Sequence, residues 1–184
     1  LRGYYDLKTT ADHVAIISGN PTGDDVLLRM HSECITGEAF GSLKCECGPQ
    51  LDFALDKIAN DPKGGVVIYL RGQEGRGIGL LNKLKAYALQ EQGLDTVEAN
   101  LALGLPSENR EYGAAVSILR DLGVTSVRLM TNNPAKSNFL NEAGIPVNEY
   151  VPVITGLATE NLGYLETKRE KMGHIIPDEV KAGN

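Results

Sequence analysis

The three cysteines are the residues of this sequence best suited to chemistry. Cys34, Cys45 and Cys47 are its whole complement of cysteine and fall within the window 34–47. Three closely spaced thiols in an odd total argue against a disulfide framework and favour one Zn²⁺ held by three sulfurs. His31 is the obvious nearby candidate for a fourth ligand. If it is not a ligand, the metal keeps an open position, and an open Zn²⁺ activates water.

The spacing of the cysteines leaves the purpose of the metal open. A structural zinc that pins a loop and a catalytic zinc with a free coordination position are equally compatible with three visible ligands. Buried cysteines without a metal are a third and weaker alternative. Metal-assisted hydrolysis is the first hypothesis for function, because an open metal position supplies activated water near neutral pH.

A glycine-rich loop is the second chemical signal. Residues 71–79, Arg-Gly-Gln-Glu-Gly-Arg-Gly-Ile-Gly, follow an apolar run and precede a predicted helix. Glycines let the backbone approach a ligand closely, a helix N-terminus attracts anions, and Arg71 and Arg76 add phosphate donors. Glu74 has the chemistry to accept hydrogen bonds from a ribose or a base. The loop matches neither a Walker A motif nor a GxGxxG fingerprint, and the alternative is a solvated surface turn.

Three shorter polar segments carry weaker signals. Arg29, His31 and Glu33 alternate at the end of a predicted strand, so we expect them to share one face directly before the first cysteine. A histidine and a carboxylate beside a metal can orient a substrate or move protons. The segments 107–112 and 131–136 combine charged and turn-forming residues before predicted helices. The first is explained by a solvated helix cap, and the second by a turn or by a further phosphate contact.

Composition limits the classes of function. At 184 residues, 42% hydrophobic and 23% charged, the chain is typical of one globular domain with a substantial core. A net charge of −6 and a pI near 5.1 do not indicate a nucleic-acid face, and no apolar run approaches the length of a membrane span. No secretory signal is visible, and reduced cysteines fit a reducing compartment. We therefore expect a cytoplasmic protein with no nucleic-acid or membrane partner.

The elements that must position these residues alternate between strands and helices. Apolar runs bounded by turn residues predict strands over 14–19, 26–31, 65–70, 127–131 and 147–154. Helical spacing and terminal Pro or Gly predict helices over 49–59, 80–93 and 112–122, and a short helix that follows the turn 132–134 and runs through Ala143. Residues 35–48 are expected to form a loop organised by metal, 96–105 are ambiguous, and the tail after Gly156 is polar. This alternation favours a single α/β (mixed α+β) domain, with a mixed sheet flanked by helices.

Five ordered motifs and the C-terminal tail together resemble GTP cyclohydrolase II, the zinc enzyme that opens riboflavin biosynthesis. The matching motifs are Arg29–Cys34, Ser42–Gln50, Gln73–Lys83, Asp95–Asn100 and Leu129–Pro134. The tail from Tyr164 to His174 also fits. The resemblance covers nearly the whole chain, and five motifs in order are far more specific than any one of them. It implies a GTP cyclohydrolase II-like domain over 1–175 and a tail over 176–184, whose order stays open.

The resemblance implies a hydrolase with GTP as its substrate. Water activated by zinc attacks C8 of the guanine ring, formate leaves, and pyrophosphate is released from the triphosphate. The product is 2,5-diamino-6-ribosylamino-4(3H)-pyrimidinone 5′-phosphate. The implied cofactors are one Zn²⁺ per subunit and Mg²⁺ with the triphosphate, and the implied assembly is a homodimer. A metal that activates water and cationic donors for a triphosphate agree with this scheme.

The resemblance also assigns roles to individual residues. It implies that Cys34, Cys45 and Cys47 bind the zinc. The residues implied to line the GTP site are Arg29, Met30, His31, Ser32, Glu33, Gln50, Glu74, Gly75, Arg76, Thr96, Thr131 and Lys136. The residues implied to be catalytic are Glu108 as proton acceptor, Arg110 as nucleophile toward the α-phosphate, and Tyr87 in completing the ring-opening hydrolysis.

Glu108 departs from the family pattern, which carries Asp two positions before the arginine. Glu keeps the charge but adds a methylene, and a displacement near ~1 Å in an active site costs on the order of 100-fold in rate. One alternative is therefore a paralogue with a partial reaction, giving a formylated intermediate or GMP. Another is a GTP-binding module with structural zinc and no turnover. Glu46 is a milder Asp-to-Glu change. No domain for dihydroxybutanone phosphate synthesis is visible, so a monofunctional enzyme is expected.

Overall fold

The computed structural model describes residues 1–176, in which six strands form one mixed sheet in the order β1-β2-β4-β3-β5-β6. The strands are β1 (Arg2–Tyr5), β2 (Asp12–Gly19), β3 (Val26–Ser32), β4 (Gly64–Leu70), β5 (Val127–Met130) and β6 (Val147–Val151). The helices are α1 (Ile35–Glu38), α2 (Cys47–Asn60), α3 (Glu74–Gly77), α4 (Leu80–Gln90), α5 (Thr96–Ala102), α6 (Gly113–Asp121), α7 (Pro134–Glu142) and α8 (Leu162–Met172). The predicted mixed α/β class is confirmed.

Strands β3 and β4 form the buried centre of the sheet. β4 pairs antiparallel with β2 and parallel with β3, and β3 also pairs parallel with β5. Nearly every residue of both central strands is buried. Strands covered on both faces have continuous apolar sequences rather than alternating ones. The sequences of β3 and β4 contain continuous apolar runs because both of their faces are covered.

Helices cover both faces of the sheet and so decide which side chains reach the site. Leu28 of β3 belongs to the core cluster formed with α6 and α7, whereas Leu27 belongs to the cluster formed with α2. Adjacent residues of a strand point to opposite faces, so Arg29 shares the α2 face with Leu27. The Arg29 guanidinium does reach α2, where its Nη2 donates to Gln50 Oε1 at 2.8 Å.

The order of the strands creates a crevice at the carboxyl ends of β3 and β5. The chain passes from β3 through α2 on one face to β4, and returns through α6 on the other face to β5. The two connections therefore run in opposite directions along the sheet. Such a switch point is where open α/β sheets bind ligands. Cys34, Arg76 and Thr131 all lie in segments that follow these strands at this edge.

Helix α8 forms in a tail that has no helical period of apolar residues. Its buried face carries Leu165, Thr167 and Lys168. Hydrophobic periodicity detects a helix only when the buried stripe is apolar. The polar tail expected after Gly156 is therefore in large part a helix that buries polar side chains against the rest of the domain.

Three further elements are not predicted by the sequence pattern. The ambiguous stretch 96–105 contains α5, which begins with a capping box between Asp95 and Glu98. Strand β1 pairs antiparallel with β2 at the edge of the sheet, and α1 is one turn within the cysteine loop. Each of these elements is short, and a short element shows too few repeats for a period to be recognised.

No helix within residues 1–176 is long and apolar enough to cross a membrane. The tail predicted over 176–184 lies outside the described residues, apart from Ile176. Near the end of the described chain, the Ile175 N–H donates to the carbonyl of Asn132 at 2.8 Å. The residues after α8 therefore lie against the loop that follows β5.

Candidate metal centre and basic cavity

The three cysteines meet in one cluster at the start of α2. Their sulfur atoms all lie within 4.8 Å of one another, and Cys34 Sγ is 3.6 Å from Cys45 Sγ. Cys34 precedes α1, and Cys47 is the first residue of α2. Gly37 permits the close approach of the loop, because a Cβ at this position would lie 2.8 Å from Cys45 Sγ. The loop 35–46 thus folds tightly around the thiols.

The cluster offers three thiol ligands, and no histidine or carboxylate within residues 1–176 joins them. His31 is engaged elsewhere, because its Nε2 lies 2.8 Å from Glu38 Oε1. Hydrogen bonds from Cys45 and Cys47 outweigh burial and hold the pKa of Cys34 well below its ordinary value. Three thiolates are a typical donor set for zinc, and three protein ligands leave one position free. The cluster can therefore hold a metal such as Zn²⁺ with an open position.

Lys83 connects the cysteine cluster to the glycine-rich loop. Its Nζ donates to Cys34 Sγ at 3.0 Å, to Thr36 Oγ1 at 2.7 Å and to Glu74 Oε1 at 2.5 Å. Burial lowers the pKa of Lys83, but Cys34 and Glu74 outweigh burial and raise the pKa above its ordinary value. The predicted catalytic residue Tyr87 joins the same network, with its hydroxyl 3.2 Å from Thr36 Oγ1.

The glycine-rich loop sends nearby side chains to different parts of the site. Glu74 turns toward the cysteine loop and accepts from the Ile35 N–H at 2.7 Å. Arg76 lines a cavity and has φ 66°, a left-handed conformation that is uncommon outside glycine and clusters at functional sites. Gly77, with φ 87°, lets the next loop approach, because a Cβ there would lie 2.7 Å from the carbonyl oxygen of Asn109.

Arg110 and Glu108 form a paired unit on the loop that packs against Gly77. Glu108 Oε1 accepts from Arg110 Nε at 2.7 Å and from its backbone N–H at 3.0 Å, and Oε2 accepts from Nη2. Burial raises the pKa of Glu108, but the hydrogen bonds and charge of Arg110 outweigh it, so the pKa is lowered. Glu108 is therefore a carboxylate at neutral pH and holds the guanidinium in one orientation.

A basic cavity opens at the carboxyl ends of β3 and β5. Five cationic side chains and one carboxylate line it: Arg29, Arg76, Arg110, Lys136, Lys168 and Glu46. Burial, together with Arg29, Arg110 and Lys168, holds the pKa of Lys136 well below its ordinary value. Cys47 also lines the cavity, so the cavity and the cysteine cluster share a wall. An excess of positive charge in a confined space favours an anionic ligand.

Unpartnered polar atoms are concentrated in the same cavity. Five buried side-chain atoms of the described residues lack a hydrogen-bond partner, and all five belong to residues that line the cavity. They are Arg29 Nε, His31 Nδ1, Glu46 Oε2, Arg76 Nη2 and His174 Nε2. A buried polar group without a partner costs about 1–3 kcal/mol. A polar ligand in this cavity could pair with these unsatisfied donors and acceptors.

A second and larger cleft, of about 920 Å³, adjoins the basic cavity at Arg110. It lies between residues 4–11 and the segment 109–114, and Arg71 is part of its wall. Within residues 1–176, none of the unpartnered buried atoms belongs to a residue that lines this cleft. Charge and open hydrogen-bonding groups, rather than size, therefore mark the basic cavity as the candidate site.

Comparison with known proteins agrees with this geometry. The sequence model of the GTP cyclohydrolase II family matches residues 1–152. The chain belongs to the GTP cyclohydrolase II family. The family predicted from the five motifs is thus confirmed, and the matched range includes the cysteine cluster, the glycine-rich loop and Arg110.

Individual relatives carry the same name or a riboflavin biosynthesis name. GTP cyclohydrolase-2 of Streptomyces coelicolor is 57% identical over 175 residues, which are 95% of this chain and 79% of that protein. Riboflavin biosynthesis protein RibBA of Rhodococcus erythropolis and that of Mycobacterium tuberculosis are each 54% identical over 179 residues. This chain spans 42% of the length of each of these two relatives. The expectation of a monofunctional enzyme stays a prediction.

Most of the GTP-site residues predicted for this member of the GTP cyclohydrolase II family meet in the basic cavity. Those that line it are Arg29, His31, Ser32, Gln50, Arg76, Thr131 and Lys136, together with Arg110. Direct hydrogen bonds link several of them to the strands. Arg29 Nη1 donates to the Met130 carbonyl at 2.9 Å, and Lys136 Nζ donates to the Met30 carbonyl at 2.8 Å. The ends of β3 and β5 thus fix two cations of the cavity.

Five predicted GTP-site residues do not line the basic cavity, and Glu74, which turns toward the cysteine loop, is one of them. The Met30 side chain is fully buried in the core, so its part in the cavity is the carbonyl that Lys136 contacts. Thr96 is the first residue of α5 and lines neither cavity, and Gly75, with φ 60°, lines neither as well. Glu33 accepts from the Gly72 N–H at 2.8 Å, outside both cavities.

The expectation that Arg29, His31 and Glu33 share one face holds for the first two residues and fails for Glu33. Strand β3 ends at Ser32, so the alternation of side chains does not continue to Glu33. His31 remains in place because its ring stacks on Tyr69 of β4, with ring centroids 5.6 Å apart. The end of the strand, rather than the sequence spacing, decides which of these polar residues reaches the cavity.

The C-terminal helix adds site residues that the sequence reasoning did not assign. Tyr164, Lys168, Met172 and His174 line the basic cavity. The available signal was the resemblance of the tail to the family, which gave no role to any of its residues. Glu38 was missed as well, because only the fold brings its carboxylate to His31.

Proposed function

We propose that this chain is a GTP cyclohydrolase II that opens the imidazole ring of GTP and releases formate and pyrophosphate, giving 2,5-diamino-6-ribosylamino-4(3H)-pyrimidinone 5′-phosphate. The observation that carries the proposal is the shared wall between a three-thiol cluster and a cavity lined by five cations. A site of this kind accepts an anionic nucleotide on one side and holds a hydrolytic metal on the other. The family membership and the names of the relatives support the same reaction.

Cys34, Cys45 and Cys47 would hold one Zn²⁺. When bound by three sulfurs, this ion supplies a Lewis acid and an activated water for attack on C8 of the guanine. Lys83 keeps Cys34 and Glu74 in a fixed relation through its hydrogen bonds. Tyr87 contacts the same network through Thr36, in a position to donate or accept a proton beside the metal ligands.

The cationic residues of the cavity would bind the triphosphate. Arg29 and Lys136 are anchored on backbone carbonyls of the neighbouring strands, so their charges are in place before the ligand arrives. Preorganised cations stabilise charge on a transferring phosphoryl group without reorganising during the reaction. Mg²⁺ would accompany the triphosphate, because Mg²⁺ in proteins is usually bound through substrate phosphates together with one or two carboxylates.

Arg110 and Glu108 would act on the release of pyrophosphate. The guanidinium of Arg110 lines the cavity, and its Nε and Nη2 both donate to the carboxylate of Glu108. Its position suits attack on, or charge stabilisation at, the α-phosphate, while Glu108 orients it and accepts a proton. The contacts of Glu108 with the side chain and the backbone of Arg110 support this role despite the added methylene.

The deciding experiment is incubation of zinc-loaded protein with GTP and Mg²⁺, followed by mass spectrometry of the products. Formate, pyrophosphate and the diaminopyrimidine monophosphate together are the expected result. A formylated product or GMP alone would instead support a paralogue with a partial reaction, which the Glu108 substitution motivates. If the protein binds GTP but leaves it unchanged, the result would support a GTP-binding module with structural zinc. The proposed assembly is a homodimer and the proposed location is the cytoplasm, as for the family.

A further inference from the structure

The segment from α8 to Ile176 covers one side of the basic cavity. Gly173 ends the helix in a left-handed conformation, with φ 64°, and the chain then turns back so that the His174 N–H donates to the Lys168 carbonyl at 3.1 Å. The Ile175 N–H donates to the Asn132 carbonyl at 2.8 Å. These backbone bonds fasten the segment between α8 and the loop after β5. The family match ends at residue 152, before this segment begins.

Lys168 holds this segment against the metal loop. Its side chain is buried, and Nζ donates to Glu46 Oε1 at 2.5 Å while lying 4.4 Å from the centre of the Tyr164 ring. The same carboxylate oxygen accepts from Gln50 Nε2 at 3.2 Å. Glu46 lies between two of the cysteines in sequence, so this ion pair ties α8 to the element that carries the metal ligands.

His174 places an open hydrogen-bonding atom in the cavity. Its Nε2 is buried and has no partner. Burial lowers the pKa of His174 to about 3, and the nearby cations Lys168, Arg110, Lys136 and Arg76 contribute to this shift. A neutral imidazole among four cations can donate from Nε2 to an anion. An anion also offsets the surrounding charge, which makes it the ligand that best suits this position.

We propose that the segment Leu162–Ile176 is part of the nucleotide site, that His174 binds a phosphate of GTP, and that Lys168 is a positioning residue that holds the segment in place through Glu46. The inference rests on the proposed function, because it takes GTP as the occupant of the basic cavity. It adds a phosphate ligand from outside residues 1–152, the range that the family model matches.

The test separates the phosphates from the base. Calorimetric titration of zinc-loaded protein with tripolyphosphate and, separately, with guanosine is compared for wild type and His174→Ala, and KM for GTP is measured alongside. A hydrogen bond to a charged group is lost, so the tripolyphosphate Kd and the KM are expected to rise about 10- to 100-fold. The Kd of guanosine is expected to change by no more than about twofold, because guanosine has no phosphate for His174 to contact.

Two variants probe the placement of the segment without removing the imidazole. Lys168→Met keeps the length of the side chain and removes its charge, so KM for GTP is expected to rise far more than kcat falls. Gly173→Ala strains the left-handed turn, where a Cβ meets no atom within 4 Å, and is expected to raise KM by less than His174→Ala. Glu166→Gln, on the exposed side of α8, is the matched control and is expected to change neither constant.

The outcomes distinguish the inference from the function on which it rests. Wild-type protein that neither turns over GTP nor binds tripolyphosphate would refute the proposed function. Wild-type protein that turns over GTP, with the KM unchanged in His174→Ala, would refute the inference alone. An equal loss of guanosine and tripolyphosphate binding in His174→Ala would also refute it, because the residue would then serve the fold or the base. Thermal unfolding of each variant identifies any loss that comes from misfolding.

Discussion

The cysteine cluster and the basic cavity share a wall but are assembled in different ways. The ligand atoms of the cluster come from one short loop, and the Lys83 ammonium already satisfies three neighbours there. The cavity draws its residues from β3, α2, the glycine-rich loop, the loop after β5, α7 and α8. It also holds all five unpartnered buried atoms of the described residues. The geometry of the cluster suits a small ion, whereas the charges and open hydrogen-bonding groups of the cavity suit a polar anionic ligand.

This difference teaches how far each part depends on the fold. A metal loop needs its ligands close in sequence and glycines where the backbone turns tightly, as at Gly37. A cavity for an anionic ligand needs charges at defined distances in three dimensions, and in the basic cavity the strand ends and the C-terminal helix supply them. Substitutions in the cluster should therefore abolish one chemical step, whereas substitutions in the cavity should weaken binding by degrees.

The largest effect is expected for Cys45→Ser. Removing one of three sulfurs should release the zinc and reduce ring opening to background, while GTP binding persists because the cations lie on other elements. The zinc content of the variant checks the loss of metal, product analysis checks the loss of ring opening, and the GTP affinity checks that binding persists. Leu43→Ser, an exposed change in the same loop, is the matched control and should keep the metal. Loss of folding together with activity would show a structural zinc and would erase the contrast between the two regions.

Arg110→Ala comes next. The guanidinium is placed at the junction of the basic cavity and the larger cleft, and removing a preorganised charge from a reacting phosphate costs roughly 10²- to 10³-fold in kcat. Release of pyrophosphate is the measurement. Arg71→Ala, a half-exposed arginine on the wall of the larger cleft, should have little effect. An equal loss in both variants would move the site into the larger cleft.

Both the charge and the side-chain length of Glu108 are expected to affect kcat. Glu108→Gln removes the ionic acceptor for Arg110, and the resulting misplacement of the guanidinium should lower kcat on the order of 100-fold. Glu108→Asp keeps the charge and restores the residue typical of the family, so its loss should be smaller. Initial rates with GTP show which of the two variants loses more activity. A Gln variant that is as active as wild type would remove Glu108 from the mechanism.

Lys136→Met should separate binding from stability. Burial and neighbouring cations already lower the pKa of Lys136, so replacing the ammonium relieves a repulsion and should leave Tm unchanged or higher. The KM for GTP should rise about 10- to 100-fold, since a charged contact to the phosphates is lost. Lys63→Met, at an exposed lysine, serves as the control. A lower Tm with an unchanged KM would assign Lys136 to the fold.

The smallest effect is expected for a pair of glycines in the same loop. Gly77 and Gly79 have φ 87° and 84°, but a Cβ at Gly77 would lie 2.7 Å from the Asn109 carbonyl oxygen, whereas one at Gly79 meets nothing within 4 Å. Gly79→Ala should cost about 1–3 kcal/mol of unfolding free energy from backbone strain alone, because φ 84° with ψ 160° is a conformation that only glycine adopts readily. Gly77→Ala should cost more and should also lower kcat, because it displaces the loop that carries Arg110. Denaturant unfolding measures the free energy of unfolding of both variants, and steady-state kinetics measure their kcat. Equal losses of unfolding free energy in the two variants would exclude a close approach at Gly77.

Much of the fold could be predicted because the responsible signals are local. The apolar runs of β3 and β4 are continuous, since both faces of the sheet are covered. Helix α8 could not be predicted in the same way, because Thr167 and Lys168 occupy its buried face. These side chains are buried only because the helix covers a polar site, and a polar stripe is indistinguishable from a solvated face in the sequence.

The sequence by itself determined the cysteine cluster, the family and the central strands, because three thiols in one loop and ordered motifs leave few alternatives. The tertiary structure decided which residues share the basic cavity. It left Glu33 outside, since β3 ends one residue earlier, and brought Lys168 and His174 in from the far end of the chain. Long-range contacts of this kind depend on the packing of whole elements, which residue spacing along the chain does not encode.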